Sequence, residues 1–184
     1  MLFLRRFLRD DQLEAAAATL YGCFASQARR PDFYLSLGVP DSVDGRFEMV
    51  ALHAFLVFRR LKGQGAAVDR LAQATYDVMF KEMDLALREL GAADLGVGRR
   101  IKHMTESLNG RIQAYERGLM ASDNEILFDA LRRNLFGTVM AREQDLVAMA
   151  AYIRDTAADL GLQDLTKIIG GSIEFRLPII SSDR

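Results

Sequence analysis

The 184-residue chain has one cysteine, two histidines, three prolines and no tryptophan, and its 24 Lys and Arg nearly balance its 25 Asp and Glu. Cys23 on its own forms no intramolecular disulfide, and together with His53 and His103 it is too small a set for a Cys/His zinc site. It reads as a small apolar residue of a helix. A net charge of -1 leaves any attraction to nucleic acid or anionic lipid to a local patch. No apolar stretch approaches the ~20 residues that a spanning helix needs. With 50% apolar and 27% charged residues the chain has the composition of a globular domain, so disorder is excluded, and the length suits one domain with its own core.

Catalytic signatures are also scarce. A di-iron bundle needs Glu three residues before each ligating His, but Val50 and Arg100 stand there. No H-E-x-x-H occurs, and the glycines Gly91, Gly96 and Gly98 fit neither G-x-x-x-x-G-K-[ST] nor G-x-G-x-x-G. A nucleophilic Cys23–His53 pair would need two residues that both sit in apolar sequence to meet. A non-catalytic protein without metal or cofactor is therefore expected, and sequence-specific nucleic acid binding is not.

What the chain does have is helical periodicity. Pro31, Pro40 and Pro178 leave residues 41–177 free of the strongest helix breaker. A helix is predicted from about Asp10 to Arg29, then a short one opening at Pro31, then a turn-rich stretch Gly38–Gly45. Arg46–Lys62 follows, apolar nearly all round from Met49 to Phe58 and so buried. From Val68 to Leu90 one face carries Tyr76, Met79, Phe80, Met83, Leu87 and Leu90, and another carries the i,i+4 pairs Asp77–Lys81 and Asp84–Arg88. A Gly91–Gly98 turn, with at least one glycine at positive φ, is expected before a helix over Val97–Leu119. Ser122–Glu125 has capping-box spacing for the next helix, and Val139, Leu146, Ala150, Ile153, Ala157 and Leu160 seam the last, which Gly161 stops. After Gly170–Gly171 apolar Ile173, Phe175, Leu177 and Ile179 alternate with Glu174, Arg176 and Pro178. That segment reads as an extended strap or a partner-binding tail. The expected fold is thus all-α, a single bundle of about six to seven helices. Residues 1–9 form a basic amphipathic segment, 10–169 the helical domain and 170–184 the tail.

Two basic features stand out. Leu4, Arg5, Arg6 and Phe7, with their neighbours, could lay a short helix on a membrane surface. The 1–9 segment lacks an uninterrupted apolar run and a small-residue cleavage site, so it is not read as a secretory signal. Arg99, Arg100, Lys102, Arg111 and Arg117 outnumber Glu106 and Glu116 on one helix, a surface suited to approach by charge. Reversing Arg99, Lys102 and Arg111 is expected to weaken association and leave the melting temperature nearly unchanged.

With these segments in view the chain resembles the ubiquinol-cytochrome c chaperone family. The matching residues are Tyr21–Gln27, Ala28-Arg-Arg-Pro-Asp-Phe-Tyr34, Gly38-Val-Pro-Asp41, Asp44-Gly-Arg-Phe47, Leu52-His53, Arg60-Leu61, Phe80-Lys-Glu-Met-Asp84, Leu87-Arg-Glu-Leu-Gly91, Asp94-Leu-Gly-Val-Gly98 and Gly110-Arg111 with Tyr115. The resemblance implies an all-helical, non-catalytic assembly chaperone that binds newly made cytochrome b of respiratory complex III. It further implies a place near the ribosomal exit tunnel and a small partner subunit. Together with the basic helix, it gives as candidate client- or partner-binding residues Phe80, Met83, Asp84, Arg88, Asp94, Gly98, Arg99, Lys102, Arg111 and Tyr115. Family-like sequence by about residue 15 and no Ser- and Arg-rich presequence suggest a bacterial member in the cytoplasm, at the inner face of the membrane. Two alternatives stay open: a peripheral membrane adaptor docking through Leu2–Arg9, and an enzyme using the His53 helix.

Overall fold

The computed structural model describes residues 10–89 and 94–179, with the side chains of residues 10, 87 and 94–105 outside that description. The fold is all-α, and no strand occurs among the described residues. The helices are α1 (Asp10–Ala28), α2 (Pro31–Leu35), α3 (Val43–Leu61), α4 (Ala66–Glu89), α5 (Asp94–Met120), α6 (Glu125–Arg133), α7 (Glu143–Leu162) and α8 (Leu165–Ile169). Residues 172–179 are extended, as the alternation after Gly170–Gly171 predicts.

Several boundaries differ from those expected, each for a local reason. α3 starts three residues before Arg46, because Ser42 caps it: its hydroxyl accepts from Gly45 N–H at 3.1 Å and its carbonyl from Arg46 N–H at 2.9 Å. Gly45 is obligatory there, since a β-carbon would lie 2.0 Å from the Pro40 carbonyl oxygen. α5 starts at Asp94 rather than Val97, so Gly96 and Gly98 are helical instead of forming a turn, and Gly91 lies outside the described residues. The capping box at Ser122 does not form in the expected way. Asp123 instead accepts from Glu125 N–H at 3.1 Å, and α6 ends at Arg133, short of Gly137. Gly161 lies within α7, which runs on to Leu162, and Val139 precedes that helix, half exposed.

The chain divides into two compact units, each gathered from separated stretches. The first holds residues 10–23, 61–89, 94–110 and 164–173. Its buried residues include Ala17, Leu20, Leu71, Thr75, Met79, Leu108 and Ile168. Asp164 caps α8 by accepting from Thr166 N–H at 2.8 Å, and Gly171, at φ +89°, lies so close to Thr19 that a β-carbon would come within 2.9 Å of it.

The second unit holds residues 24–60, 111–163 and 174–179. Its core is the buried run of α3, from Met49 to Val57, with Phe24, Phe33, Tyr115, Leu131, Phe136, Met149 and Ile153. Each fully buried apolar side chain of this size contributes roughly 1.5–3 kcal/mol. Arginines close the helix ends. Arg154 donates to the carbonyls of Gly118, Leu119, Ala121 and Asp123 and to Asn124 Oδ1, tying the end of α5 to the start of α6. Arg60 likewise donates to the carbonyls of Leu160 and Gln163 at the end of α7.

Candidate functional site

The polar chemistry of the second unit converges on His53, in the middle of the most apolar helix. His53 is fully buried. Its Nδ1 lies 2.8 Å from the Met49 carbonyl, which can only accept, so Nδ1 carries the proton. Nε2 is then the acceptor, and the Tyr152 hydroxyl donates to it at 2.7 Å. Gln27 in turn donates to the Tyr152 oxygen at 3.1 Å and to the Arg176 carbonyl at 2.9 Å. Phe33 and Phe175 meet the His53 ring edge-on, with centroids 5.6 and 5.4 Å away. Burial pushes the His53 pKa down to about 4, opposed by the Met49 bond, so the ring is neutral at pH 7. Burial also raises Tyr152 to about 12. Both ring nitrogens are thus engaged within the protein.

Around this network the extended segment is fastened at three places. Gln163 accepts from Glu174 N–H at 3.0 Å and donates to its carbonyl at 2.7 Å. Gln27 holds the Arg176 carbonyl. The Arg176 guanidinium bonds both oxygens of Asp159 at 2.6 and 2.8 Å and Asp155 at 2.8 Å. Those bonds hold the Asp159 carboxyl below the usual carboxylate range. Beside the segment runs a groove of about 580 Å³, walled by Val147, Ala148 and Ala151 of α7 and by Leu177 and Ile179.

The residues marked by the sequence separate between the units. In the first unit Phe80, Met83 and Asp84 of α4 are half-buried and Arg88 is exposed. The Phe80 ring packs on Tyr76 at 4.7 Å, and Asp84 accepts from Arg88 at 2.7 Å. In the second unit Arg111 and Tyr115 turn inward. Arg111 forms a two-pronged pair with Glu48 through Nε, at 2.8 and 2.6 Å to the two carboxylate oxygens, and through Nη2, while its guanidinium lies over the Phe47 ring at 5.3 Å. Burial by itself would lower the Arg111 pKa, but the neighbouring Glu48 carboxylate outweighs it and the guanidinium stays firmly charged. Tyr115 is fully buried against Phe55. Asp94, Gly98, Arg99 and Lys102 have helical backbone, and their side chains lie outside the described residues. Leu4, Arg5, Arg6 and Phe7 lie outside them altogether. Gln27, Tyr152, Gln163 and Arg176 went unmarked, because nothing in their local sequence joins them. Among the described residues no group of three His, Cys, Asp or Glu could hold a metal ion, and no helix is long and apolar enough to cross a membrane.

Residues 35–175 match the family described as ubiquinol-cytochrome C chaperone, and the chain belongs to that family. It is 23% identical over 173 residues to the ubiquinol-cytochrome-c reductase complex assembly factor 1 of Xenopus laevis, covering 94% of this chain and 86% of that protein. It is 29% identical over 125 residues to the mitochondrial protein CBP3 of Saccharomyces cerevisiae, covering 66% of this chain and 36% of the yeast protein. Among solved structures, the Cbp3 homolog from Brucella abortus superposes with a TM-score of 0.80 at 34% identity, covering 95% of this chain and 96% of that one.

Proposed function

We propose that this chain is an assembly chaperone for the ubiquinol-cytochrome c reductase complex, and that its client is newly made cytochrome b. The observation that carries the reading is the family match over residues 35–175, backed by a relative named as an assembly factor of that complex. The half-exposed Tyr76, Phe80 and Met83, at i, i+4 and i+7 on α4, support a client-facing surface, since aromatic and thioether side chains re-pack around varied apolar partners. Asp84 and Arg88 flank that face and supply polar contacts at its edge. The chaperone works at the cytoplasmic face of a bacterial inner membrane, near the ribosomal exit and with a small partner subunit.

Deleting the gene tests this. Cytochrome b measured by difference spectra and the activity of the assembled complex should both fall, with turnover per haem unchanged in what survives. Other respiratory enzymes should be spared. Normal cytochrome b and normal complex activity under respiratory growth would refute the proposal.

A further inference from the structure

The bonds that hold Glu174 and Arg176 are of the kind by which one protein receives an extended peptide from another. A glutamine amide that both donates to and accepts from one residue's backbone, as Gln163 does at Glu174, reads main chain in an extended conformation without regard to sequence. Gln27 reads a second backbone position at Arg176. Side-chain selection comes from two places: the aromatic setting where Phe175 meets His53 edge-on, and the carboxylates of Asp155 and Asp159 that clamp Arg176. Pro178 is buried, whereas Leu177 and Ile179 are 58% and 72% exposed and line the groove.

We propose that this surface of α1, α3 and α7 is a receptor site for extended polypeptide carrying an aromatic residue followed by arginine, and that the chain's own strap is its built-in occupant. A client segment of that pattern displaces the strap and lies in its place, with further room in the groove for apolar neighbours. The Arg176 clamp is the release point, because its carboxylates and guanidinium are each more than a third exposed and so bind with the strength of surface pairs. The biological meaning rests on the chaperone reading, but the exchange itself does not.

The test uses a fluorescein-labelled peptide with the sequence of residues 173–179, titrated by anisotropy into the full-length protein and its R176A variant. In the unaltered protein the tethered strap competes at an effective concentration on the order of millimolar, so the peptide should bind weakly. R176A should bind it about threefold tighter or more, as expected for loss of a solvent-exposed clamp. A peptide with alanine in place of the phenylalanine should lose at least about tenfold, and one with alanine in place of the arginine about threefold. Equal or absent binding in the two folded proteins overturns the proposal, as does binding indifferent to those two peptide residues. If R176A does not fold, hydrogen exchange on the unaltered protein decides: millimolar peptide should speed exchange at Phe175–Leu177 while α7 stays protected, and no change overturns the proposal. None of these readouts involves the respiratory complex, so failure here and failure of the assembly reading are separable.

Discussion

Two carboxylate–arginine pairs, one in each unit, are chemically alike and physically opposite. Asp84 and Arg88 are one helical turn apart on α4 and meet at 2.7 Å with 33% and 45% of their side chains exposed. Glu48 and Arg111 are 63 residues apart and meet with only 7% and 18% exposed. The first pair loses little if water takes its place, because both ions are already solvated. The second cannot lose one partner without leaving a desolvated charge behind. Gln73 on α4 likewise bonds within a turn to Asp77, whereas Gln27, His53 and Tyr152 of the second unit join α1, α3 and α7, and Gln27 also holds the strap. The second unit is therefore stiffened by its polar groups.

The sharpest break of this comparison is Arg111→Glu. It sets two carboxylates together in a half-buried site and should cost about 3–5 kcal/mol in urea unfolding, with the double replacement Glu48→Leu, Arg111→Met recovering most of the loss. A cost below about 1 kcal/mol would place the pair with Asp84–Arg88. The expectation that reversing Arg99, Lys102 and Arg111 together spares the melting temperature fails at Arg111 for this reason.

His53 gives the next effect. Its folded pKa, about 4, lies below the unfolded value of 6.5, so between those values the unfolded chain takes up a proton that the folded chain refuses. Stability from this group is complete above pH 6.5 and lost as pH falls toward 4, by about 3 kcal/mol in all. Unfolding curves of the unaltered protein and His53→Gln across that range should diverge, with the variant showing the shallower pH dependence. Parallel curves would show that the ring titrates freely.

Smaller again is Tyr152→Phe, which removes the donor to His53 Nε2 and one acceptor of Gln27 while leaving the ring in place. Unpairing these buried groups should cost about 1–3 kcal/mol, read from denaturant midpoints. It should also speed hydrogen exchange at the strap, since Gln27 holds the Arg176 carbonyl from the same network.

This ordering tracks how much of each region is legible in the sequence. The buried run Met49–Val57, the α4 pair and the extended character of Ile173–Ile179 all follow from spacing over a few residues, because helix and strand periods are local. The His53 network does not: Tyr152 stands 99 residues from His53 and 125 from Gln27, and each looks ordinary in its own helix. Arg111 misled because its neighbours on the helix are basic, while the carboxylate that neutralises it sits on α3. Gly96 and Gly98 misled in the other direction. Glycine weakens a helix by only about 1 kcal/mol per residue relative to alanine, and α5 carries both.

The last prediction concerns the pair that does least for the fold. Asp84→Ala removes a solvated i,i+4 contact and should shift unfolding by less than about 0.5 kcal/mol, within the range of exposed helix pairs. If α4 is the client-facing surface, the same substitution combined with Phe80→Ala should still lower assembled complex several-fold in a complemented deletion strain, while the chaperone's own abundance stays level. The two measurements must be made together, since loss of assembly accompanied by loss of the protein would mean that α4 is structural. Full complementation by a stable double variant would move the client contact off α4 and leave the strap groove of the second unit as the surface to test.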